Sequence, residues 1–170
     1  MRRIVTGHTQ SGKSVIVDDA ELPLVPVALD LGLEGTEIWA TDGTPTIPIE
    51  ESDHKKRPSF GFPGPGGTHV GITCFHPDNE VLRQASEKGV DLVGMWRELT
   101  GEEEFGMHTT DTIDYGIVLS GEVWLELDDG AEVHLKPGDC VVQNGTRHAW
   151  RNKGSETCVM AFVMVGAKRK

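Results

Sequence analysis

The chain has few basic residues and no long apolar run. Its 16 Lys and Arg stand against 27 Asp and Glu, which gives a formal net charge of −11 and a pI near 5.0. This acidic balance disfavours binding to nucleic-acid phosphates or to anionic lipid. No stretch of 18 apolar residues occurs, and no apolar signal core follows Met1-Arg2-Arg3. We therefore expect a cytoplasmic protein that binds neither nucleic acid nor membranes.

Cysteine is also scarce. Cys74, Cys140 and Cys158 are odd in number, form no Cys-x-x-Cys motif and have apolar, strand-like neighbours. We interpret them as buried, reduced thiols rather than as a disulfide framework or metal ligands. With 170 residues, the chain is long enough to bury a core without such cross-links.

Turn-forming residues, by contrast, are abundant. The 21 Gly and 9 Pro are spread over the whole chain, which favours β-structure over helical bundles. Residues 1–20 predict a β-hairpin, and residues 37–40 and 68–75 predict two further strands. Helical spacing predicts two short helices between residues 78 and 100. The Pro- and Gly-rich stretch 50–67 predicts a mobile loop at a cavity mouth.

After residue 106, short alternating segments separated by regularly spaced turns predict an all-β sandwich or barrel. Alternation along the segment from 108 to 119 places His108 and Asp114 on a polar face. The opposite face is apolar and carries Ile113, Tyr115, Ile117 and Leu119. We expect the polar face to line a wet cavity, and the apolar face to be covered by N-terminal elements or by a second copy in a homodimer. His148 and Trp150 share a face of a later strand by the same rule.

Two segments resemble known motifs. Residues 107–123, Met-His-Thr-Thr-Asp-Thr-Ile-Asp-Tyr-Gly-Ile-Val-Leu-Ser-Gly-Glu-Val, are similar to the first cupin motif. Lys136-Pro137-Gly138-Asp139, followed by Gly145, His148 and Asn152, is similar to the second. The resemblance implies a double-stranded β-helix, the jelly-roll or cupin barrel, over residues 101–167. Residues 1–100 would add N-terminal strands, the loop and one or two short helices that pack on the barrel, within one structural domain.

The resemblance also implies a site inside the barrel, where three His and one Glu hold a divalent ion in the metal-binding members. His108 matches the first His and His148 the last, while Thr110 stands at the second His position and Asp114 at the Glu position. The implied site is a divalent metal, Fe, Mn, Zn or Ni, held by His108, Asp114 and His148. One alternative is a metal-free acid–base site in which Asp114 orients a histidine. Another is a hydrogen-bonded histidine pair with no ion.

The function expected from this resemblance is that of a small-molecule enzyme acting on an oxygenated organic compound. Its reaction class stays open between dioxygenase, isomerase, decarboxylase and dehydratase. The residues expected to carry the reaction are His108, Thr110, Asp114 and His148. The residues expected to contact the substrate are Tyr115, Arg147 and Trp150, with Arg147 pairing a carboxylate. Replacement of two of the four metal ligands favours a second hypothesis, a non-catalytic cupin that binds a small molecule.

Overall fold

Antiparallel strands are the main elements of the computed structural model, which describes residues 1–28, 33–49 and 61–170. The strands are β1 (Arg2–His8), β2 (Ser14–Glu21), β3 (Val25–Ala28), β4 (Leu33–Thr41), β5 (Thr68–Phe75), β6 (Thr112–Ser120), β7 (Val123–Glu126), β8 (Glu132–Leu135), β9 (Cys140–Gln143), β10 (Ala149–Arg151) and β11 (Cys158–Gly166). Two α-helices, α1 (Asp78–Lys88) and α2 (Leu92–Thr100), lie between β5 and β6. The strands and helices predicted from the sequence are confirmed.

The strands form three sheets. β1 and β2 pair as the predicted N-terminal hairpin, and β10, β7 and β8 form a three-stranded sheet. A six-stranded sheet has the order β3-β4-β5-β11-β6-β9. Strand β11 lies at its centre, with Phe162 opposite Gly71 of β5 and Gly116 of β6. This position explains why β11 is apolar on both faces.

The main core lies between the six-stranded and the three-stranded sheets. Val118, Met160 and Phe162 of the larger sheet pack against Val123 and Leu125 of the smaller one, and all five are buried. The two packed antiparallel sheets confirm the predicted all-β barrel. Strands β4 and β5 from the N-terminal part of the chain are hydrogen-bonded into the same sheet as β11.

The two helices cover one end of the barrel. α2 begins after Asp91, whose carboxylate accepts a hydrogen bond from the backbone N of Gly94 at 2.9 Å, and it ends at Gly101. Asp78 is the first residue of α1, and its carboxylate accepts from the backbone N of Asn152 at 3.1 Å instead of capping the helix. The helix is thereby tied to the segment that follows β10. No helix among the described residues is both long and apolar enough to cross a membrane.

The structure bears on the predicted loop at residues 50–67 and on the three cysteines. Residues 50–60 of the predicted mobile loop lie outside the described residues, and the remainder is tied to β11 by a hydrogen bond from Gly66 N to Gly166 O at 2.9 Å. Cys74 and Cys158 are buried as predicted, but Cys140 is exposed, so that prediction was wrong. The reason is that β9 is the edge strand of its sheet, and Cys140 lies on the open face.

Candidate functional site

His108 and His148 lie directly opposite one another on neighbouring backbone segments. The backbone N of each donates to the carbonyl of the other, at 2.9 and 3.0 Å, in an isolated β-bridge. Paired residues of this kind project to the same side, and the two imidazole centroids are 4.3 Å apart. The structure therefore brings together the two histidines of the predicted site.

Backbone carbonyls orient both rings. His108 Nδ1 donates to the carbonyl of Gly106, and His148 Nδ1 donates to that of Thr146, each at 2.9 Å. Because a carbonyl only accepts, each Nδ1 carries the proton, and the Nε2 of the neutral ring keeps its lone pair. The orienting groups are thus carbonyls two residues upstream, whereas one of the predicted alternatives gave that role to Asp114.

Burial keeps both rings neutral. It lowers the pKa of His108, and it lowers the pKa of His148 to about 4, with the nearby His108 contributing to the second shift. Hydrogen bonds to the Gly106 and Thr146 carbonyls oppose these shifts without reversing them. At neutral pH the pair therefore offers two unprotonated Nε2 acceptors rather than a positive charge.

Asp114 and Thr110 are also buried, each with only 4% of its surface exposed. The Thr110 hydroxyl accepts a hydrogen bond from the Thr112 hydroxyl at 2.8 Å. One oxygen of Asp114, Oδ1, is buried and has no hydrogen-bond partner among the described residues. Desolvation by burial raises the pKa of Asp114, against opposing effects from Thr112 and His108. The predicted polar face of β6 therefore points inward, as expected.

The predicted metal site is not assembled. Within residues 1–28, 33–49 and 61–170, no three His, Cys, Asp or Glu side chains are placed to hold a metal ion together. The histidines contribute two donors, but Asp114 has a shorter side chain than the Glu of the motif. Thr110, at the second His position, has a neutral hydroxyl bonded to Thr112. The donor set in the described residues thus does not fit a cupin metal ion.

A cavity of about 140 Å³ adjoins His108. It lies between the two helices and the barrel, and its walls include Phe75, Trp96, Phe105 and Trp150. Trp96 is held in place by a hydrogen bond from its indole Nε1 to the carbonyl of Met107 at 2.8 Å. The arrangement offers a small, largely apolar binding space that is bordered by one imidazole of the pair.

The structure places the three residues predicted to contact the substrate in different surroundings. Trp150 lines the cavity and contacts His148 edge to face, with ring centroids 5.7 Å apart. Tyr115 lies on the outer face of β6 and is 43% exposed, because strand alternation turns it away from Asp114. Arg147 already pairs with the chain's own acids, at 2.9, 2.8 and 3.3 Å from Glu102, Asp128 and Glu104 respectively. A substrate carboxylate would have to displace these acids.

Sequence reasoning missed a second buried polar pair. Glu37 Oε2 lies 3.2 Å from His69 Nδ1, and both side chains are almost completely buried. His69 lies opposite Met164 of β11, which in turn lies opposite Asp114. The alternation of β5 could have identified His69 as an inward residue. Alternation could not identify Glu37 in the same way, because the β4–β5 register shifts between Glu37 and Trp39 and interrupts the alternation of β4.

Comparison with known proteins agrees with this architecture. The family model described as the cupin domain matches residues 95–165. The chain is 33% identical to "Phomopsin biosynthesis cluster protein C'" of Diaporthe leptostromiformis, over 98% of this chain and 78% of that protein. The protein therefore belongs to the cupin family. It is also 41% identical to "Cupin-domain-containing oxidoreductase fogC" of Aspergillus ruber, but over only 36% of this chain and 32% of that one.

Among solved structures, the cupin domain of Schizosaccharomyces pombe Cnp3 is similar in fold. The TM-score is 0.51 at 9% identity, over 97% of this chain and 87% of that one. At this identity the similarity establishes the fold alone. The relatives together support a cupin-type function and leave the reaction to be inferred from the site.

Proposed function

We propose that the protein is a small-molecule enzyme of biosynthetic metabolism that uses the His108–His148 pair for proton transfer. The observation that carries the proposal is the contact of two buried, neutral imidazoles beside an apolar cavity. A relative that spans nearly the whole chain is named for a biosynthesis cluster, which supports the metabolic setting.

The geometry suits an isomerisation or a dehydration. His108 lines the cavity, and its Nε2 lone pair accepts a proton from a bound substrate while Nδ1 stays bonded to Gly106. The neutral His148 ring adds no positive charge that would repel the resulting imidazolium. Return of the proton to another substrate atom completes an isomerisation, and its delivery to a leaving hydroxyl completes a dehydration as water.

In the test, enols, ketones and alcohols that contain a single ring are each incubated with the full-length protein in D₂O. The reaction is followed by NMR. We expect deuterium incorporation or a new product with wild-type protein, and its loss in His108→Asn, since Asn keeps a donor toward the Gly106 carbonyl. His8→Asn, at an exposed histidine, is the matched control and retains the activity. Equal turnover in His108→Asn and wild type would refute the role of the pair.

The second candidate function is binding without catalysis. It is favoured by the fact that the described residues place no three metal-ligating side chains together. Under this alternative, the same compounds bind in the cavity, but neither deuterium exchange nor product formation exceeds that of a protein-free sample. That outcome would replace the enzymatic proposal.

A further inference from the structure

The walls of the cavity beside His108 restrict what it can hold. Phe75 and Trp150 contact one another on one wall, with ring centroids 6.1 Å apart and ring planes tilted by 43°. Trp96 and Phe105 form an edge-to-face pair on another wall, with centroids 5.7 Å apart. Aromatic walls of this kind favour planar ligands that stack or meet ring edges. Because Trp96 is hydrogen-bonded to the Met107 carbonyl, that wall is fixed in orientation.

The size of the cavity limits the group that can be buried in it. A volume of about 140 Å³ is close to that of an engineered protein cavity that holds one benzene molecule. A second fused ring would either extend past Leu82 into solvent or displace Val81 or Leu82 on α1, which line the same space. Of these two, Leu82 is 53% exposed and marks the side open to solvent.

The charged groups at the cavity are already engaged by the protein. Arg151 Nε donates to Glu126 at 2.6 Å, and its Nη1 donates to the carbonyl of Phe105 at 2.7 Å. Asp78 accepts from the backbone N of Asn152. A ligand carboxylate would compete with Glu126 for Arg151, and it would add a further negative charge near Asp78 and Glu126. The cavity therefore favours an uncharged ligand.

We infer that this cavity binds an uncharged, planar molecule of one ring whose polar substituent meets His108. The inference rests on the proposed function for the use of His108, but the binding itself does not depend on turnover. The ring occupies the space between the aromatic walls. A hydroxyl substituent lies at the end formed by His108, where it donates a hydrogen bond to Nε2.

The test is calorimetric titration of the full-length protein with benzyl alcohol, benzoate and 1-naphthol. We expect benzyl alcohol to bind with a millimolar or lower Kd. Benzoate, which has the same ring but a negative charge, should bind at least about tenfold more weakly, or ~1.4 kcal/mol. The two-ring 1-naphthol should be similarly disfavoured. Equal affinity for benzoate, or no binding of benzyl alcohol, would overturn the inference.

Two variants place the ligand in this cavity. Val81→Phe fills the space from α1 and should weaken benzyl alcohol binding about tenfold or more. Leu82→Trp does the same from a half-exposed position, where folding tolerates the change. Val93→Phe, on the exposed side of α2, is the control and should bind like wild type. Wild-type affinity in both cavity variants would also overturn the inference.

The outcomes separate the two proposals. Binding of benzyl alcohol without turnover of any single-ring compound supports the inference and contradicts the enzymatic function. Turnover of a charged or larger compound through His108, with no binding of benzyl alcohol, contradicts the inference and leaves the enzymatic function standing.

Discussion

Acidification should destabilise the folded protein through His148. The residue is 2% exposed, and burial lowers the pKa of its imidazole from 6.5 to about 4. Between these two pH values the unfolded chain binds a proton at this position and the folded chain does not, so the free energy of unfolding falls as the pH falls. Above 6.5 the residue contributes no pH dependence, and below about 4 both states are protonated. Across this window the loss amounts to about 3 kcal/mol.

Buried carboxylates act in the opposite direction. Burial raises the pKa of Glu37, Asp78 and Asp114, so the folded state binds their protons first, and acidification relieves the desolvation of each charge. The wild-type profile is therefore a sum of opposing contributions. The His148 contribution is isolated by the difference between wild type and His148→Asn, in which the amide keeps a donor toward the Thr146 carbonyl.

The assay is urea unfolding at pH values from 7 to 4, with His8→Asn as the control at an exposed histidine. The stability of wild type relative to His148→Asn should decrease by about 3 kcal/mol over the window, while His8→Asn should run parallel to wild type. Parallel profiles for wild type and His148→Asn would mean that the folded protein protonates this ring normally, and the burial argument would be refuted.

Three further predictions concern packing and assembly. Gly121 and Gly130 both have φ near +70°, but a Cβ at Gly121 would lie 2.6 Å from the Thr157 carbonyl oxygen, while one at Gly130 meets nothing within 4 Å. Gly121→Ala should therefore cost about 2 kcal/mol more than Gly130→Ala in urea unfolding, and equal losses would contradict the steric argument. Phe162→Ala, which empties part of the core at a 6% exposed position, should cost about 3–5 kcal/mol, and a loss under ~1 kcal/mol would contradict its core role. The homodimer stays a prediction: light scattering should give twice 18.5 kDa for wild type and 18.5 kDa for Ile117→Lys on the apolar outer face, and a wild-type monomer would contradict it.

The barrel could be predicted because its information is local. Each strand from β6 to β11 carries its own alternation and ends at its own turn, so the inward face of β6, with Thr110 before it and Asp114 within it, follows from the chain alone. The pairing of His108 with His148 was accessible through the motif spacing. By the same rule Tyr115 lies on the outer face of β6.

The cavity could not be predicted, because its walls come from segments distant in sequence. Phe75 ends β5, Trp96 lies on α2, and Trp150 lies on β10, and only packing of the helices against the barrel brings the three together. Arg147 likewise looked available for a substrate until folding placed Glu102 and Asp128 beside it. Long-range ion pairs leave no periodic trace in a sequence.

The strand pattern, the inward polar face and the two histidines thus follow from the amino-acid sequence, since these depend on spacing along one segment or on a motif. What those histidines can do depends instead on the tertiary packing. It buried them, which lowers their pKa values, and it bonded their Nδ1 atoms to backbone carbonyls. It also left Asp114 outside any three-ligand group in the described residues. Desolvation and side-chain proximity are properties of packed surfaces, and they exist only once distant segments meet.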